Sequence, residues 1–152
     1  MNLVGFIESK TGVASFSQKH FVTSEFDTDS KNSRSSMYTA LQMNSFSVDI
    51  RDFKTKSVSC TICESKNNVP VQRGVDIAIV MKAMKALMED QLDILVLITG
   101  DCDYRDLIEY LTETKYKKVY VFGYKDTISK ELYEKASSVV YLDEAWKHLS
   151  FG

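Results

Sequence analysis

Apolar and polar stretches alternate with a clear period in the second half of the chain. A continuous apolar run at Ile94–Ile98 is rich in β-branched residues, and Gly100 follows it. Such a run predicts a strand buried on both faces, which is typical of the centre of a parallel sheet. Upstream, Gly74 precedes the segment VDIAIVMKAMKALMED, whose apolar spacing predicts the strongest helix in the chain.

The segments after this strand continue the alternation of helices and strands. The patterns predict a helix over Tyr104–Thr114, a strand over Lys118–Phe122, a short helix capped by Ser129, a strand over Val139–Leu142 and a terminal helix over Asp143–Leu149 that holds Trp146. With right-handed crossovers this order gives a three-layer α/β fold with a mainly parallel central sheet.

The first half has weaker signals. Its patterns predict a strand at Leu3–Ile7 that ends at Glu8, and a second strand from Phe21. A polar loop over Asp27–Ser36 leads into a helix that is capped by Ser35 or Ser36 and ends near Asn44. Two strands or a long hairpin follow within Ser45–Glu64, and then a turn at Ser65–Asn68. Strands are expected where apolar residues alternate with polar ones, as at Phe46, Val48 and Ile50.

Length and composition fit one soluble globular domain over residues 1–152. The chain is 44% hydrophobic and 26% charged, with a formal net charge of -2. No global positive field therefore indicates nucleic acid, and a polyanion site would have to be local. No apolar run is long enough to span a membrane, the N-terminus does not resemble a signal peptide, and three cysteines fit reduced thiols. We expect a cytoplasmic protein.

Two acids directly follow the predicted central strand. If the backbone stays extended, Asp101 and Asp103 lie on one face and Cys102 on the other. Carboxylates at the carboxyl end of a strand lie where open α/β sheets bind ligands, and their mutual repulsion favours a cation such as Mg²⁺ or Mn²⁺. The alternative is structural: Asp103 caps the next helix and Asp101 braces the turn.

Two further acids are candidates for the same site. Asp76 falls in line with Val80, Ala83 and Leu87 on the helix stripe expected to be buried, where a carboxylate needs a reason. It either satisfies free N–H groups at the helix start or points into a metal crevice. Glu8 could present an acid at the end of the first strand, or be an ordinary solvated side chain.

The motif Cys60-x-x-Cys63 resembles half of a zinc site, but the sequence offers no second pair. Residues three apart on a strand face opposite ways, which favours structural thiols over a metal site.

The motifs RGVDIA at residues 73–78, ITGDCDY at 98–104, KVYVFGY at 118–124 and VVYLDE at 139–144 resemble an NYN domain. This family belongs to the PIN-like ribonucleases and includes the LabA-like proteins. The likeness is best over residues 70–145, and a weaker one extends upstream. It implies a Rossmann-like (PIN-like) fold.

The resemblance also implies roles. Asp76, Asp101 and Asp103 match acidic active-site positions that hold Mg²⁺ or Mn²⁺ in a metal-dependent ribonuclease, with Glu8 as a fourth candidate. Basic side chains that could contact the RNA backbone are Arg73, Lys54 and Lys56, although ordinary solvated charge is an equal alternative for each.

The chain also departs from the family pattern. Glu8-Ser9-Lys10-Thr11 stands where the family has an Asp-Gly-x-Asn-like motif followed by a helix, and Lys82 replaces an acid. A degenerate module that binds RNA or a protein partner is therefore the alternative to a nuclease. A phosphotransfer domain is a third class, which no Gly-rich phosphate loop supports. A missing helix would leave apolar sheet exposed, which predicts a homodimer.

Overall fold

A computed structural model describes residues 2–25, 31–63, 65–72 and 74–145. The chain divides into two compact units, one formed by Met1–Phe16 with Val80–Gly152 and the other by Ser17–Ile79. The helices are α1 (Leu3–Thr11), α2 (Lys31–Met43), α3 (Val75–Met88), α4 (Arg105–Glu109), α5 (Lys130–Lys135) and α6 (Leu142–Ala145). The strands are β1 (His20–Glu25), β2 (Ser47–Asp52), β3 (Lys54–Ser59), β4 (Lys66–Val71), β5 (Ile94–Ile98), β6 (Lys118–Gly123) and β7 (Ser138–Tyr141).

The larger unit contains a parallel three-stranded sheet in the order β5-β6-β7. Each strand of the sheet is where the sequence predicted it, to within a residue or two. The prediction that β5 lies at the centre is wrong for this sheet, because β6 pairs on both sides and carries the most buried side chains. In β5 only Leu97 is buried, and Ile98 is exposed.

The first element is a helix, so the strand predicted at Leu3–Ile7 is wrong. Asn2 caps α1 by accepting a hydrogen bond from the Gly5 N–H at 2.8 Å. Gly12 ends the helix with a φ of 72°, a left-handed conformation that favours glycine. The two caps give hydrogen-bond partners to backbone groups at the helix ends, whereas the backbone groups of a strand would need a neighbouring strand as partner.

Helix α1 packs on the sheet and closes one part of the core. The Phe6 ring meets the Phe122 ring of β6 edge to face, with centroids 6.3 Å apart. Ile7 and Leu142 complete this buried cluster. The homodimer was predicted because a covering helix was thought to be missing. Since α1 is present, that reason no longer applies, and the dimer stays an untested prediction.

The helices between β5 and β7 follow the predicted pattern. A 3-10 turn (Cys102–Tyr104), α4 and a π-helical segment (Tyr110–Thr114) run on continuously over the range predicted to be helical. They bury Leu107, Ile108 and Leu111. Ser129 caps α5 by accepting a hydrogen bond from the Leu132 N–H. Of the predicted terminal helix, the structure describes only the part up to Ala145, which belongs to α6. Trp146 lies outside the described residues.

The smaller unit contains two pairs of strands. Strand β1 pairs in parallel with β2, while β3 and β4 form an antiparallel hairpin. Of the two alternatives for Ser45–Glu64, the presence of two strands is confirmed, because β2 and β3 both lie there, and a hairpin confined to that range is wrong. The turn predicted at Ser65–Asn68 is also wrong, because β4 begins at Lys66. Helix α2 begins at Lys31, so the predicted polar loop is shorter at its end and neither Ser35 nor Ser36 is the cap. Of that loop, residues 27–30 lie outside the described residues.

Helix α3 begins directly after Gly74, as predicted. Its buried side chains include Ala78, Ala83 and Ala86, whereas Asp76 is exposed. The prediction that Asp76 lies on the buried stripe is therefore wrong. At 100° per residue the centre of the buried face follows the alanines, and Asp76 in the first turn lies beside it.

The chain thus has a mixed α/β fold with parallel sheets and one small antiparallel sheet. It stays a prediction that the chain forms a single domain and that its elements are arranged in three layers. Among the described residues, no helix combines the length and apolar character needed to cross a membrane.

Candidate functional site: an acidic turn after strand β5

The two acids that follow β5 lie on a turn and not on extended backbone. We call Asp101–Asp103 the acidic turn. Asp101 is the N-cap of the 3-10 segment, and its Oδ1 accepts a hydrogen bond from the Asp103 N–H at 3.1 Å. The Thr99 hydroxyl oxygen accepts one from the Asp101 N–H at 3.2 Å. Of the two roles in the structural alternative, one is confirmed, because Asp101 braces the turn, and the other is wrong, because Asp103 does not cap the next helix.

The acidic turn is held at the carboxyl edge of the sheet by backbone contacts to the loop after β6. The Thr99 N–H donates to the Phe122 carbonyl at 2.9 Å, and the Ser129 N–H donates to the Gly100 carbonyl at 3.1 Å. A Cβ on Gly100 would lie only 2.3 Å from the Thr127 carbonyl oxygen. Only glycine allows this close approach, which fixes the starting point of the turn.

The turn brings three possible ligand atoms together. One atom from each of Asp101, Cys102 and Asp103 lies within 4.8 Å of the others, and all three side chains are exposed. The prediction that Cys102 points away from the two acids is therefore wrong. An extended backbone would have alternated the side chains, whereas the turn that begins at the Asp101 N-cap shortens the chain and lets the three ligand atoms approach one another.

The donor set suits a hard divalent cation. An ionised carboxylate offers two oxygens, so Asp101 can hold the Asp103 N–H with one and still present the other. Mg²⁺ is usually bound through one or two carboxylates together with waters and substrate phosphates. Two exposed carboxylates on one turn meet that requirement. The Cys102 thiol is a softer ligand that Mg²⁺ does not prefer.

The other predicted acids stand on other elements. Glu8 lies in the middle of α1 and is half-buried, so the premise that it ends a strand is wrong. It does not belong to the acidic group found among the described residues. Asp76 lies in the first turn of α3, in the unit Ser17–Ile79. That either acid contributes to a site with Asp101 stays a prediction.

The predicted RNA-contacting lysines lie on the hairpin. Lys54 and Lys56 are two residues apart on β3, both exposed, and line a depression together with Thr55 and Val71. Neither lysine forms an ion pair with any of the residues that the structure describes. Arg73 lies outside the described residues.

Sequence reasoning missed the bracing role of two side chains at this edge. One is the Thr99 hydroxyl described above. The other is Asp143, which lies just after β7. Its Oδ2 accepts a hydrogen bond from the Lys125 N–H at 2.8 Å. The signal was available in VVYLDE, where an acid follows an apolar strand as it does in LITGDCD. In this case the acid fixes the loop after β6, which also contacts Gly100.

Comparisons with known proteins place the chain. A crystal structure of a protein of unknown function from Vibrio parahaemolyticus is similar, with a TM-score of 0.58 and 20% identity; the match covers 81% of this chain and 68% of that one. At this identity the likeness concerns the fold. No functionally curated protein matches the chain. The family model of the NYN domain matches residues 3–143, nearly the whole chain, so the resemblance extends well beyond residues 70–145. The chain therefore belongs to the NYN domain family.

Proposed function

We propose that this protein is a metal-dependent ribonuclease whose metal is held by Asp101 and Asp103, with Mg²⁺ or Mn²⁺ as the ion. The observation that carries the proposal is the acidic turn: two exposed carboxylates gathered at the carboxyl edge of a parallel sheet, in a chain that an NYN family model spans. A divalent ion bound there would supply a Lewis acid for the attack of water on a phosphodiester.

The chain's own groups would orient the ion and the substrate. The Asp103 N–H holds Asp101 Oδ1 in place, so this carboxylate does not have to be ordered when the ion binds. Lys54 and Lys56 carry exposed positive charge suited to phosphate oxygens. We include Asp76 as a further ligand in the proposal, because its place in the family motif is that of an active-site acid. Glu8 is a weaker candidate, since it lies within a helix.

The first test is cleavage of single-stranded RNA by the purified protein. We expect cleavage that requires Mn²⁺ or Mg²⁺ and stops when a chelator is added. Asp101→Asn keeps the shape of the side chain and removes the charge that holds the ion. The loss of activity should exceed the roughly 10- to 100-fold loss caused by removing outer-sphere partners of metal ligands.

The matched control is Asp106→Asn. Asp106 is also exposed and lies three residues beyond Asp103, in the first turn of α4, but it does not belong to the acidic group. It should keep full activity. Calorimetric titration with Mn²⁺ gives a readout besides activity, and binding should be lost in Asp101→Asn and retained in Asp106→Asn. A folded Asp101→Asn protein that binds Mn²⁺ and cleaves RNA as well as the wild type would refute the proposal.

The alternative is a catalytically degenerate NYN module that binds RNA or a protein partner. Two observations favour it: Lys82 stands where the family often has an acid, and Glu8 lies in a helix and not at a strand end. A lysine in place of that acid would attract phosphate without coordinating a cation. This alternative predicts a folded wild-type protein that leaves varied RNA substrates intact in Mn²⁺ and binds its partner equally well after Asp101→Asn.

A further inference from the structure

The hairpin of β3 and β4 presents two cysteines at its closed end. Its ladder runs from the Lys54–Val71 pair to the Ser59–Lys66 pair, and the Cys60 N–H then donates to the Ser65 carbonyl at 2.9 Å. Residues 61–63 form the turn beyond that bond. We call Cys60 and Cys63 the thiol pair. The prediction that they face opposite ways is wrong, because Cys63 lies on the turn and not on a strand.

The two cysteines adjoin the same residue, Ser65, but are not equivalent. Cys60 is paired with Ser65 through its backbone N–H. Cys63 is exposed, and its sulfur also lies 3.0 Å from the Ser65 hydroxyl oxygen. Cys60 is half-buried. A small reagent in solution therefore reaches the Cys63 sulfur first, and Cys60 lies at the other end of the same short turn.

The surroundings of Cys63 favour its thiolate. Hydrogen bonds from the side chain and backbone of Ser65, followed by one from Cys60, lower the pKa of the Cys63 thiol from 9.0 to about 7. The thiolate is the nucleophilic form of cysteine, and a pKa close to the ambient pH is optimal for attack on a disulfide. A large fraction of Cys63 is therefore present as the reactive thiolate at neutral pH.

A metal site is a poorer explanation of the same pair. The only group of three or more metal-binding side chains among the described residues is the acidic turn. Two thiolates alone fall short of the four ligands of a structural zinc site.

We propose that the thiol pair is a thiol–disulfide exchange site that reacts with low-molecular-weight disulfides, with Cys63 as the attacking thiol and Cys60 as the resolving thiol. The Cys63 thiolate attacks one sulfur of the small disulfide, forms a mixed disulfide and releases one small thiolate. Cys60 then loses its proton to solvent and attacks Cys63 Sγ, which forms the Cys60–Cys63 bond and releases the second small thiolate. The protein pair loses two electrons, and the small disulfide gains them. The exchange does not depend on the acidic turn or on nuclease activity.

The test uses the full-length reduced protein and oxidised glutathione, followed by intact-mass and peptide mass spectrometry. The wild type should lose two hydrogens and carry no adduct, with the bond between Cys60 and Cys63. Cys60→Ser should accumulate one glutathionyl group on Cys63, because no thiol resolves the mixed disulfide. Cys63→Ser should react much more slowly. Cys102→Ser is the matched control, since it removes the other exposed cysteine and should behave as the wild type.

The rate of alkylation of Cys63 by iodoacetamide as a function of pH provides a second measurement. In Cys60→Ser, Ser65→Ala should move the midpoint from near neutrality toward the ordinary value of 9.0. A wild-type protein that stays reduced, a stable adduct on the wild type, or glutathionylation mainly at Cys102 would each overturn the proposal. Each outcome leaves the ribonuclease proposal unaffected, since that is scored on RNA cleavage and Mn²⁺ binding.

Discussion

The acids of the turn were found from their spacing, but their conformation was not. A buried apolar run followed by Gly-Asp-Cys-Asp indicates acids at a strand end, because strand position and carboxylate chemistry can both be recognised in sequence. What decides the geometry is a local competition. The short Asp101 side chain bonds to the Asp103 N–H and turns the backbone out of the extended form. Sequence patterns do not fix the outcome of such a competition.

At Gly100 we predict that adding one methyl group harms both stability and the site. Gly100 does not have a positive φ, so the cost of Gly100→Ala arises from the contact with the Thr127 carbonyl oxygen. We expect a loss of about 1–3 kcal/mol in the free energy of unfolding, measured with urea, and weaker Mn²⁺ binding by the folded protein.

Gly12→Ala is the control for this prediction. No atom lies within 4 Å of a Cβ at Gly12, but its φ of +72° makes alanine strained, so this variant also loses stability, by roughly 1–2 kcal/mol. Gly12 is the residue that ends α1, and its substitution should leave Mn²⁺ binding unchanged. Equal metal affinity in Gly100→Ala and the wild type would show that the close approach does not position the turn.

Elements with a sustained period were predicted well, and those defined by their caps were not. Strands β5, β6 and β7 and helix α3 carry long apolar patterns. Helix α1 has only 9 residues, and its apolar start resembles a strand; the caps at Asn2 and Gly12 decide its structure. Strand β4 was missed because its start falls within Ser65–Asn68, whose polar residues are typical of a turn. The strand also contains Pro70, which cannot donate to a ladder. In a two-stranded hairpin every strand is an edge, so this proline is tolerated.

The contact between α5 and the helical segment after β5 predicts a specific pH dependence. Lys135 Nζ lies 2.7 Å from Glu109 Oε1 and 2.8 Å from Glu113 Oε1. The hydrogen bond from Lys135 lowers the pKa of Glu109 and raises that of Lys135. The carboxylate contribution is therefore complete above the unfolded-state pKa of about 4.3 and is lost as pH falls through the lower folded-state value. The ammonium contribution is lost only as pH rises through a folded-state pKa above about 10.4.

We expect Lys135→Gln to be less stable than the wild type at pH 7, with the difference shrinking toward pH 3. Urea unfolding at both pH values measures it. Lys130→Gln is the matched control, since Lys130 forms an exposed pair with Glu134 at 3.4 Å that should contribute little at either pH. A stability difference that is independent of pH would mean that Lys135 stabilises the protein by packing and not by charge.

At the scale of the molecule, strand pairing was the least predictable feature. The sequence of residues 45–64 allowed two strands or a hairpin, and local patterns could not decide between them. In the structure β2 pairs with β1 across the intervening helix α2, and β3 pairs with β4. The choice depends on contacts between segments far apart in sequence, which a single chain without its fold does not specify. The same reason applies to Asp76, whose relation to the acidic turn depends on long-range packing.

The charge pattern of the whole protein leads to a prediction about RNA binding. With a net charge of -2, any affinity for RNA has to come from local positive groups such as Lys54 and Lys56. Lysines that bind phosphates release counterions, so affinity should fall with salt. Removing one such lysine should make the slope of log K against log salt concentration less steep by about 0.7 for single strands. The measurement is fluorescence anisotropy with labelled single-stranded RNA in a series of KCl concentrations, using Asp101→Asn to prevent cleavage.

Lys54→Gln and Lys56→Gln should each weaken binding at low salt and flatten the salt dependence, and together they should act additively because each lysine binds a separate phosphate. Lys118→Gln is the control with the same charge change. Lys118 is exposed at the start of β6, the end of that strand opposite to the loop that holds the acidic turn. If Lys118→Gln changes the slope as much as the hairpin variants do, the attraction is a general effect of net charge. If only the hairpin variants change it, β3 forms part of the RNA-binding surface, whichever of the nuclease and the binding module proves correct.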